Sequence, residues 1–345
     1  MRASSKLAVL FVALTGTSVH AATLIPVVPV PGSTSTFVEA INDENIIAGD
    51  YATADGSVHG FYGTLDGQYT TFDFDSVNEP GTQVRGINNQ GDVTGVANLD
   101  QGNTLLLLEF ERFANGSMTL ITHHRAPLHG VPGGINSHGV FAAEDWHEDA
   151  SADGYSGKNA KAKSKNEIEL GFSASRVRPR AVTNSGDIVG YFRATKGYEG
   201  FLQHDGTATV IDYPDVNALA TLLQGANSSG VVSGIWEDQD FNEFAFYYNV
   251  ASATFTPITI PGFPLSTTGG VNRAGLIALN GFSSDFSQSA PYVFCPKKRS
   301  NCPAGGTEIA DAKPVRMPAG GIAHRDLQRA PKPLTPAHAA ALSRQ

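Results

Sequence analysis

The fold is decided by one stretch, Ala181-Val-Thr-Asn-Ser-Gly-Asp-Ile-Val-Gly-Tyr-Phe192, because related stretches return along almost the whole chain. The other copies are Ala40-Ile-Asn-Asp-Glu-Asn-Ile-Ile-Ala-Gly49, Gly86-Ile-Asn-Asn-Gln-Gly-Asp-Val-Thr-Gly95, Gly134-Ile-Asn-Ser-His-Gly-Val-Phe141, Gly225-Ala-Asn-Ser-Ser-Gly-Val-Val-Ser-Gly234 and Gly270-Val-Asn-Arg-Ala-Gly-Leu-Ile277. A repeat of this kind indicates an array of similar structural units.

One asparagine marks each copy, and we take the markers to be Asn42, Asn88, Asn136, Asn184, Asn227 and Asn272. Their spacings are 46, 48, 48, 43 and 45 residues, a period typical of propeller blades. The Asn-x-x-Gly segment between two β-branched runs predicts a hairpin turn. In the cleanest copy, further turns predict four short strands per repeat.

The repeats predict an all-β fold, a six-bladed β-propeller of four-stranded antiparallel blades, because sheets this small must pack face to face to bury their apolar sides. The sixth repeat has no clear fourth strand. The segment Thr23-Leu-Ile-Pro-Val-Val-Pro-Val-Pro-Gly32 resembles the strand that precedes the last marker. We therefore expect the N-terminal strand to complete the last blade and close the ring.

The chain divides into three parts. Residues 1–21 combine two cations, a short apolar run and Val19-His-Ala21, which predicts a secretory signal peptide; a membrane anchor is the alternative, although the run is short for a span. Residues 22–302 form the predicted propeller. Residues 303–345 lack strand alternation and are predicted to be a disordered tail. The protein is thus expected to be secreted, or periplasmic or on the outer surface in a bacterium.

The charge and the cysteine content limit the classes of function and the compartment that the sequence allows. Residues 22–294 hold 13 Lys and Arg against 30 Asp and Glu, a net charge of −17, which argues against nucleic-acid binding. Cys295 and Cys302 are the only cysteines, and in an oxidising compartment they are expected to form a disulfide. The sequence indicates no cofactor and no membrane span, and we expect a monomer.

The repeats resemble the HAF family of probable extracellular repeats. The residues that carry the resemblance are the Gly-Ile-Asn-x-x-Gly-Asp-Ile-Val-Gly-Tyr pattern together with Val58-His-Gly-Phe61, Gly200-Phe-Leu202 and Thr70-Thr-Phe-Asp-Phe74. The resemblance covers roughly residues 23–295. It implies a secreted propeller-like array and no established activity or catalytic residue.

The connections between second and third strands are expected to form one acidic loop face. Both tryptophans lie where this face begins, and an aromatic plate beside carboxylates suits a sugar; the alternative is a tryptophan that packs between blades. The predicted ligand-binding residues are Trp146, Trp236, Asp145, Glu237, Asp238 and Asp240. The simpler interpretation of the face is solubility.

Motifs for metal or catalysis are sparse. Asp149, Ser151 and Asp153 occupy positions one, three and five of a calcium-type loop, but position twelve is Ala160, so this is a weak calcium site. No nucleophile elbow, zinc-protease motif or phosphate loop occurs in the sequence. The sequence therefore favours a recognition or scaffold module that binds an extracellular glycan or protein. The alternatives are a polysaccharide lyase or hydrolase on the same face, and a structural envelope or matrix protein.

Overall fold

The computed structural model describes residues 22–74, 81–100, 105–121, 130–146, 152–158, 165–195, 197–296, 302–309 and 312–316. These residues form 26 β-strands and contain no helix, which confirms the all-β prediction. Nothing in this described part is a helix long and apolar enough to cross a membrane. The predicted signal peptide, 1–21, lies outside the described residues.

The strands follow the repeats, and we call the six groups repeat units 1 to 6. The strands of units 1 to 3 are β2 (Ser35–Ile41), β3 (Ile47–Ala52), β4 (Val58–Gly63), β5 (Tyr69–Phe72); β6 (Gly81–Ile87), β7 (Val93–Asp100), β8 (Leu105–Arg112), β9 (Met118–Leu120); β10 (Gly130–Ile135), β11 (Val140–Trp146), β12 (Ala152–Lys158) and β13 (Lys165–Glu167). Those of units 4 to 6 are β14 (Ser175–Val182), β15 (Ile188–Arg193), β16 (Tyr198–His204), β17 (Thr207–Ile211); β18 (Ala220–Ala226), β19 (Val231–Glu237), β20 (Glu243–Asn249), β21 (Thr254–Pro257); β22 (Leu265–Val271), β23 (Ile277–Phe282) and β24 (Ser289–Cys295). Three strands lie outside this series: β1 (Ala22–Pro26), β25 (Thr307–Ile309) and β26 (Val315–Arg316).

Each unit is an antiparallel sheet whose strands pair in chain order. A single parallel bridge between Val58 and Gly81 joins units 1 and 2 into one larger sheet. The hydrophobic core lies between consecutive units. One buried cluster, for example, combines Val38 and Phe61 of unit 1 with Leu276 and Val293 of unit 6. Burying each such side chain contributes roughly 1.5–3 kcal/mol, so stability comes from the contacts between sheets.

The marker asparagine organises the turn between the first two strands of a unit. The Oδ1 atom of Asn88 accepts hydrogen bonds from the backbone N–H groups of Gln90 and Asp92. Its Nδ2 donates to the carbonyl of Asn136, the marker of the next unit, at 3.4 Å. The marker therefore both shapes its own turn and links neighbouring units.

The same link continues from unit to unit. Asn42 donates to Asn88 O, Asn136 to Thr183 O, Asn227 to Asn272 O, and Asn272 to Asn42 O, at 2.8–3.1 Å. The assignment of Asn184 as the fourth marker is wrong, because Thr183 occupies the equivalent position. Threonine has no amide donor, and the Thr183 hydroxyl instead accepts from the N–H of Asp187.

A β-bulge interrupts the first strand of every unit at the same place. In unit 2, Val84 pairs with Gly95 and Gly86 pairs with Thr94, so Arg85 has no partner residue on β7. Equivalent register shifts occur in the other five units. Since a bulge re-aims a side chain, the residue directly before each motif is free to face away from the packed sheet surfaces.

The second strand must pass very close to this bulged strand. A Cβ atom on Gly95 would lie 2.2 Å from the carbonyl oxygen of Gln83, and one on Gly190 would lie 2.1 Å from that of Arg178. A side chain at either position would therefore collide with backbone. This close approach explains the glycine that ends the Gly-Asp-Ile-Val-Gly pattern.

The N-terminal strand completes the last unit, as the sequence predicts. Strand β1 pairs antiparallel with β24, with Leu24 opposite Phe294. Beyond β1, strand β25 pairs with it in turn, and β26 pairs with β21 of unit 5. The predicted boundary at residue 302 is therefore wrong, because the chain continues as strands that cover two sheet edges, a common protection of edge strands. Cys295 and Cys302 form the predicted disulfide, which directs this segment back towards β1.

Candidate functional site

A cavity of about 680 Å³ lies where the first strands of the units meet. All six bulges contribute to its surroundings. The bulge residues are Glu39, Arg85, Gly133, Arg180, Gln224 and Gly269, and all six line the cavity. We call these six residues the bulge ring.

Three residues of the bulge ring lie between two cavities. Arg85, Arg180 and Gln224 line both the large cavity and a second cavity of about 110 Å³ on the side of the Asn-x-x-Gly turns. These side chains therefore stand between the two cavities. The large cavity ends at a polar floor formed by the bulge ring.

Two glycines leave openings in the bulge ring. A Cβ atom on Gly133 would lie 2.6 Å from the carbonyl oxygen of Arg180, and one on Gly269 would lie 2.1 Å from that of Glu39. The close backbone approach therefore excludes a side chain at both positions. The opening at Gly133 has Arg85 and Arg180 on its two sides, whereas the opening at Gly269 has Gln224 and Glu39.

Glu39 of unit 1 and Arg85 of unit 2 are neighbouring charged residues of the bulge ring. The carboxylate of Glu39 lies 3.8 Å from Nη1 of Arg85, and the two side chains are 25% and 10% exposed. Burial raises the pKa of Glu39, and the charges of Arg85 and Arg180 lower it by less. Arg85 also donates from Nη2 to Oε1 of Gln83 at 3.0 Å, while its Nε is buried without a hydrogen-bond partner among the described residues.

Arg180 is held by a buried network between units 3 and 4. Its Nη2 donates to the hydroxyl of Tyr191 at 2.6 Å and lies 3.5 Å from the fully buried carboxylate of Glu144. The Nε of Arg178 lies 3.1 Å from the other oxygen of Glu144, although the N–H does not point at it. The two cations thus offset the cost of burying this carboxylate.

Phenylalanines form one wall of the cavity. The rings of Phe37 and Phe282 are stacked with centroids 5.8 Å apart, and Phe286 packs on Phe282 at the same distance. Phe286 has a φ of 57°, unusual for a bulky residue. The wall offers an apolar surface opposite the polar floor.

A hydrogen-bonded turn holds the loop that carries Phe286. The hydroxyls of Ser283 and Ser287 and the N–H of Ser287 all donate to Oδ1 of Asp285. These bonds lower the pKa of Asp285 to about 2. Hydrogen bonds within the loop thus hold Phe286 in its strained backbone conformation, an arrangement often found at ligand clamps.

Neither predicted tryptophan is among the cavity-lining residues. Trp236 is stacked between Tyr213, at 5.1 Å and an interplanar angle of 7°, and Phe244, at 4.5 Å. Trp146 is 36% exposed, and the guanidinium of Arg178 lies 4.9 Å from its ring centroid. Trp236 therefore has the environment of a packing residue, and Trp146 remains accessible outside the cavity.

The predicted acidic loop residues separate into two groups. Asp145 and Glu237 were expected on exposed loops, but they are only 3% and 7% exposed, because β11 and β19 extend further than the sequence pattern indicates. Burial, and secondarily Asp238, raises the pKa of Glu237 to about 7. Asp238 accepts hydrogen bonds from the N–H groups of Asp240 and Asn242 and thereby shapes the turn. Asp240 is exposed.

The weak calcium site is incomplete in the described part of the chain. Asp149 and Ser151 lie outside the described residues, and Asp153 is an exposed residue of β12, opposite Asp145. No group of three or more potential metal ligands occurs among the residues that the structure describes.

Sequence reasoning did not detect a Ser-His-Asp arrangement in unit 1. Oγ of Ser57 lies 2.8 Å from Nε2 of His59, whose Nδ1 lies 2.8 Å from Asp73. The same Ser57 hydroxyl also donates to Asp55 at 2.7 Å, as the equivalent Ser287 does in unit 6. Ser57 is therefore part of a turn, and its proton is committed to Asp55.

Comparisons with known proteins show a similarity in fold alone. No protein-family model and no curated protein matches the chain. The putative TolB from Agrobacterium tumefaciens has a TM-score of 0.51 and 13% identity over 69% of this chain and 88% of that one. AofleA from Arthrobotrys oligospora has a TM-score of 0.51 and 11% identity over 85% and 89%. The lectin of Aleuria aurantia, described as a six-bladed β-propeller with a novel fucose recognition mode, has a TM-score of 0.47 and 12% identity over 85% and 100%.

Proposed function

We propose that the six repeat units close into a ring as a six-bladed β-propeller, and that the protein is an exported recognition module that binds a carbohydrate in the central cavity. The observation that carries the proposal is the cavity itself. It combines a phenylalanine wall with side chains that donate and accept hydrogen bonds. Sugars require both, since their apolar ring faces stack and their hydroxyls need polar partners.

Contacts between the last and first units support the ring. The side-chain amide of Asn280 in unit 6 bonds to both the N–H and the carbonyl of Val38 in unit 1. Asn272 donates to Asn42 across the same boundary. Export is supported by the disulfide, which persists in oxidising compartments, and membership of the HAF family stays a proposal based on the repeat pattern.

The cavity is a better candidate than the acidic loop face. Of the loop carboxylates, Asp238 and Asp285 already accept hydrogen bonds within their own turns, and Asp145 and Glu237 are buried. These four carboxylates are therefore already hydrogen-bonded or buried. The cavity residues, in contrast, converge from all six units on one volume.

The test is a carbohydrate-binding screen of the protein without residues 1–21, followed by calorimetric titration. Phe286→Ala is expected to weaken binding at least about ten-fold, because stacked aromatic surface is lost from the wall. Phe172→Ala is the matched control, since Phe172 is 38% exposed and lies outside the cavity. An unchanged affinity of the Phe286 variant, or equal losses in both variants, would contradict the cavity site.

The same incubations distinguish a binding module from the polysaccharide-cleaving alternative. Chromatography and absorbance at the wavelength of unsaturated uronates are expected to show intact oligosaccharides. Shortened or unsaturated products would instead assign the protein to the enzyme class.

A further inference from the structure

We propose that the preferred ligand of the central cavity is an acidic sugar, whose carboxylate lies in the opening between Arg85 and Arg180 above Gly133. This inference rests on the proposed carbohydrate function and names its ligand class. It follows from the order of the side chains around the bulge ring and from an unsatisfied donor on Arg85.

The opening at Gly133 has the shape and chemistry of a carboxylate site. Its floor carries no side chain, because the carbonyl of Arg180 would collide with one. The guanidinium groups of units 2 and 4 flank it, and both residues line the cavity. Arginine is suited to carboxylates because its planar group donates two parallel hydrogen bonds.

Arg85 has donor capacity left for such a ligand. Its side chain is nine-tenths buried, its Nε has no hydrogen-bond partner among the described residues, and its contact to Glu39 is as long as 3.8 Å. A buried donor without a partner is costly. This atom is not exposed to the cavity in the observed position of the side chain, so a ligand carboxylate in the opening would provide the missing acceptor once the Arg85 side chain turns its Nε towards it.

The local charge also favours an anion. The two cations that line the cavity, Arg85 and Arg180, both lie beside the Gly133 opening, and Glu39 lies 3.8 Å from Arg85. The other carboxylates of the cavity, Asp50 and Glu243, belong to units 1 and 5, which flank unit 6 and not unit 3. The cavity is therefore polarised, with cations around the Gly133 opening and acceptors on the far side.

The far side suits the remaining groups of a sugar acid. Gln224 and Glu39 flank the second opening, at Gly269, and can bond to hydroxyls, while Phe282 and Phe286 offer the stacking surface. A single uronic acid residue presents a carboxylate, several hydroxyls and an apolar ring face. It matches each part of the cavity with one of its own groups.

The experiment compares galacturonic acid oligosaccharides with neutral galactose oligosaccharides of equal length by calorimetric titration. The acidic ligand is expected to bind at least about ten-fold more tightly. Arg85→Gln is expected to remove that preference, measured as the ratio of the acidic to the neutral affinity of the same variant. Arg193→Gln is the matched control, because Arg193 is exposed and lies outside the cavity.

The outcomes separate this inference from the proposed function. Equal binding of both ligands to the unsubstituted protein, or an acidic preference that survives in a folded Arg85→Gln variant, would overturn the inference while the carbohydrate function stands. Binding of neither ligand would overturn the inference, and a carbohydrate affinity that Phe286→Ala leaves unchanged would overturn the cavity as the binding site that the proposed function names. Circular dichroism and the thermal transition establish that each variant is folded, and Arg85→Lys keeps the charge if Arg85→Gln does not fold.

Discussion

Two carboxylates that the sequence pattern places on exposed loops, Asp145 and Glu237, are buried in the structure. Glu237 follows a tryptophan and precedes two aspartates in the chain, so it was expected in a charged exposed loop. In the structure it ends β19, is 7% exposed, and has a pKa of about 7. Burial disfavours the ionised form, and the nearby Asp238 adds to the effect.

The shift of Glu237 predicts how stability depends on pH. A carboxyl group with a raised pKa in the folded state stabilises the protein fully below its ordinary pKa of 4.5, and this contribution is lost as the pH rises through 7. Glu237→Gln should therefore raise the free energy of unfolding at pH 8 by up to about 3 kcal/mol. At pH 4 it should have little effect.

Denaturant titrations at the two pH values measure this difference. Glu44→Gln serves as the control, since Glu44 is exposed. A Glu237→Gln variant that is equally destabilised at both pH values would mean that the carboxylate makes favourable contacts in its ionised form.

At the scale of the turn, one repeat lacks the link that joins the others. Asn136 donates its amide to Thr183, but Thr183 has no amide to donate to Asn227. The sequence pattern did not reveal the missing amide, because Asn184, one position after Thr183, was taken as the marker of this repeat. Its Oδ1 accepts instead from the N–H of Ser137.

Thr183→Asn should supply the missing link between units 4 and 5. The new Oδ1 can accept from the N–H of Asp187, as the other markers do, and the new Nδ2 can donate to the carbonyl of Asn227. One added hydrogen bond is worth about 1 kcal/mol. Chemical denaturation should show a stabilisation of that order.

The reverse exchange provides the matched comparison. Asn136→Thr retains a hydroxyl that can accept from the N–H of Val140, but it loses the donor to Thr183 and the acceptor of the His138 N–H, so it should destabilise by at least a similar amount. If Thr183→Asn destabilises the protein while Asn136→Thr is neutral, the marker amides do not link the units.

The bulges explain why the strands could be predicted from the sequence and the cavity could not. Apolar alternation and Asn-x-x-Gly turns determine the strands, and these signals are local. A bulge shifts the alternation by one residue, so Glu39 and Arg85 leave the face that their positions predict. Their convergence also depends on residues about 46 positions apart, and no local pattern encodes that.

For the whole molecule, the sequence predicted that the N-terminal strand pairs with the last unit, because that unit lacked a fourth strand and residues 23–32 belonged to no repeat. The prolines that follow Thr23 favoured an edge strand. What the sequence did not indicate is that β1 has partners on both sides, β24 and β25. The second partner comes from a segment of low apolar content, whose pairing depends on backbone groups and on the disulfide rather than on a periodic pattern.

Removal of residues 22–30 should therefore open the molecule between units 6 and 1. The deletion removes the buried side chains of Leu24, Ile25, Val27 and Val30, each worth roughly 1.5–3 kcal/mol, against a total stability of about 5–15 kcal/mol for typical proteins. It also leaves β25 without a partner and β24 paired only with β23, and unpaired edges promote aggregation. We expect a large fall in the melting temperature or aggregation of the truncated protein, measured by calorimetry and light scattering.

A synthetic peptide of residues 22–32, added in excess, should restore part of the lost stability by pairing with β24, whereas a peptide of the same composition in scrambled order should not. Deletion of residues 317–345 is the control for a terminal truncation. A melting temperature that is unchanged after removal of residues 22–30 would contradict closure by the N-terminal strand and, with it, the six-bladed ring.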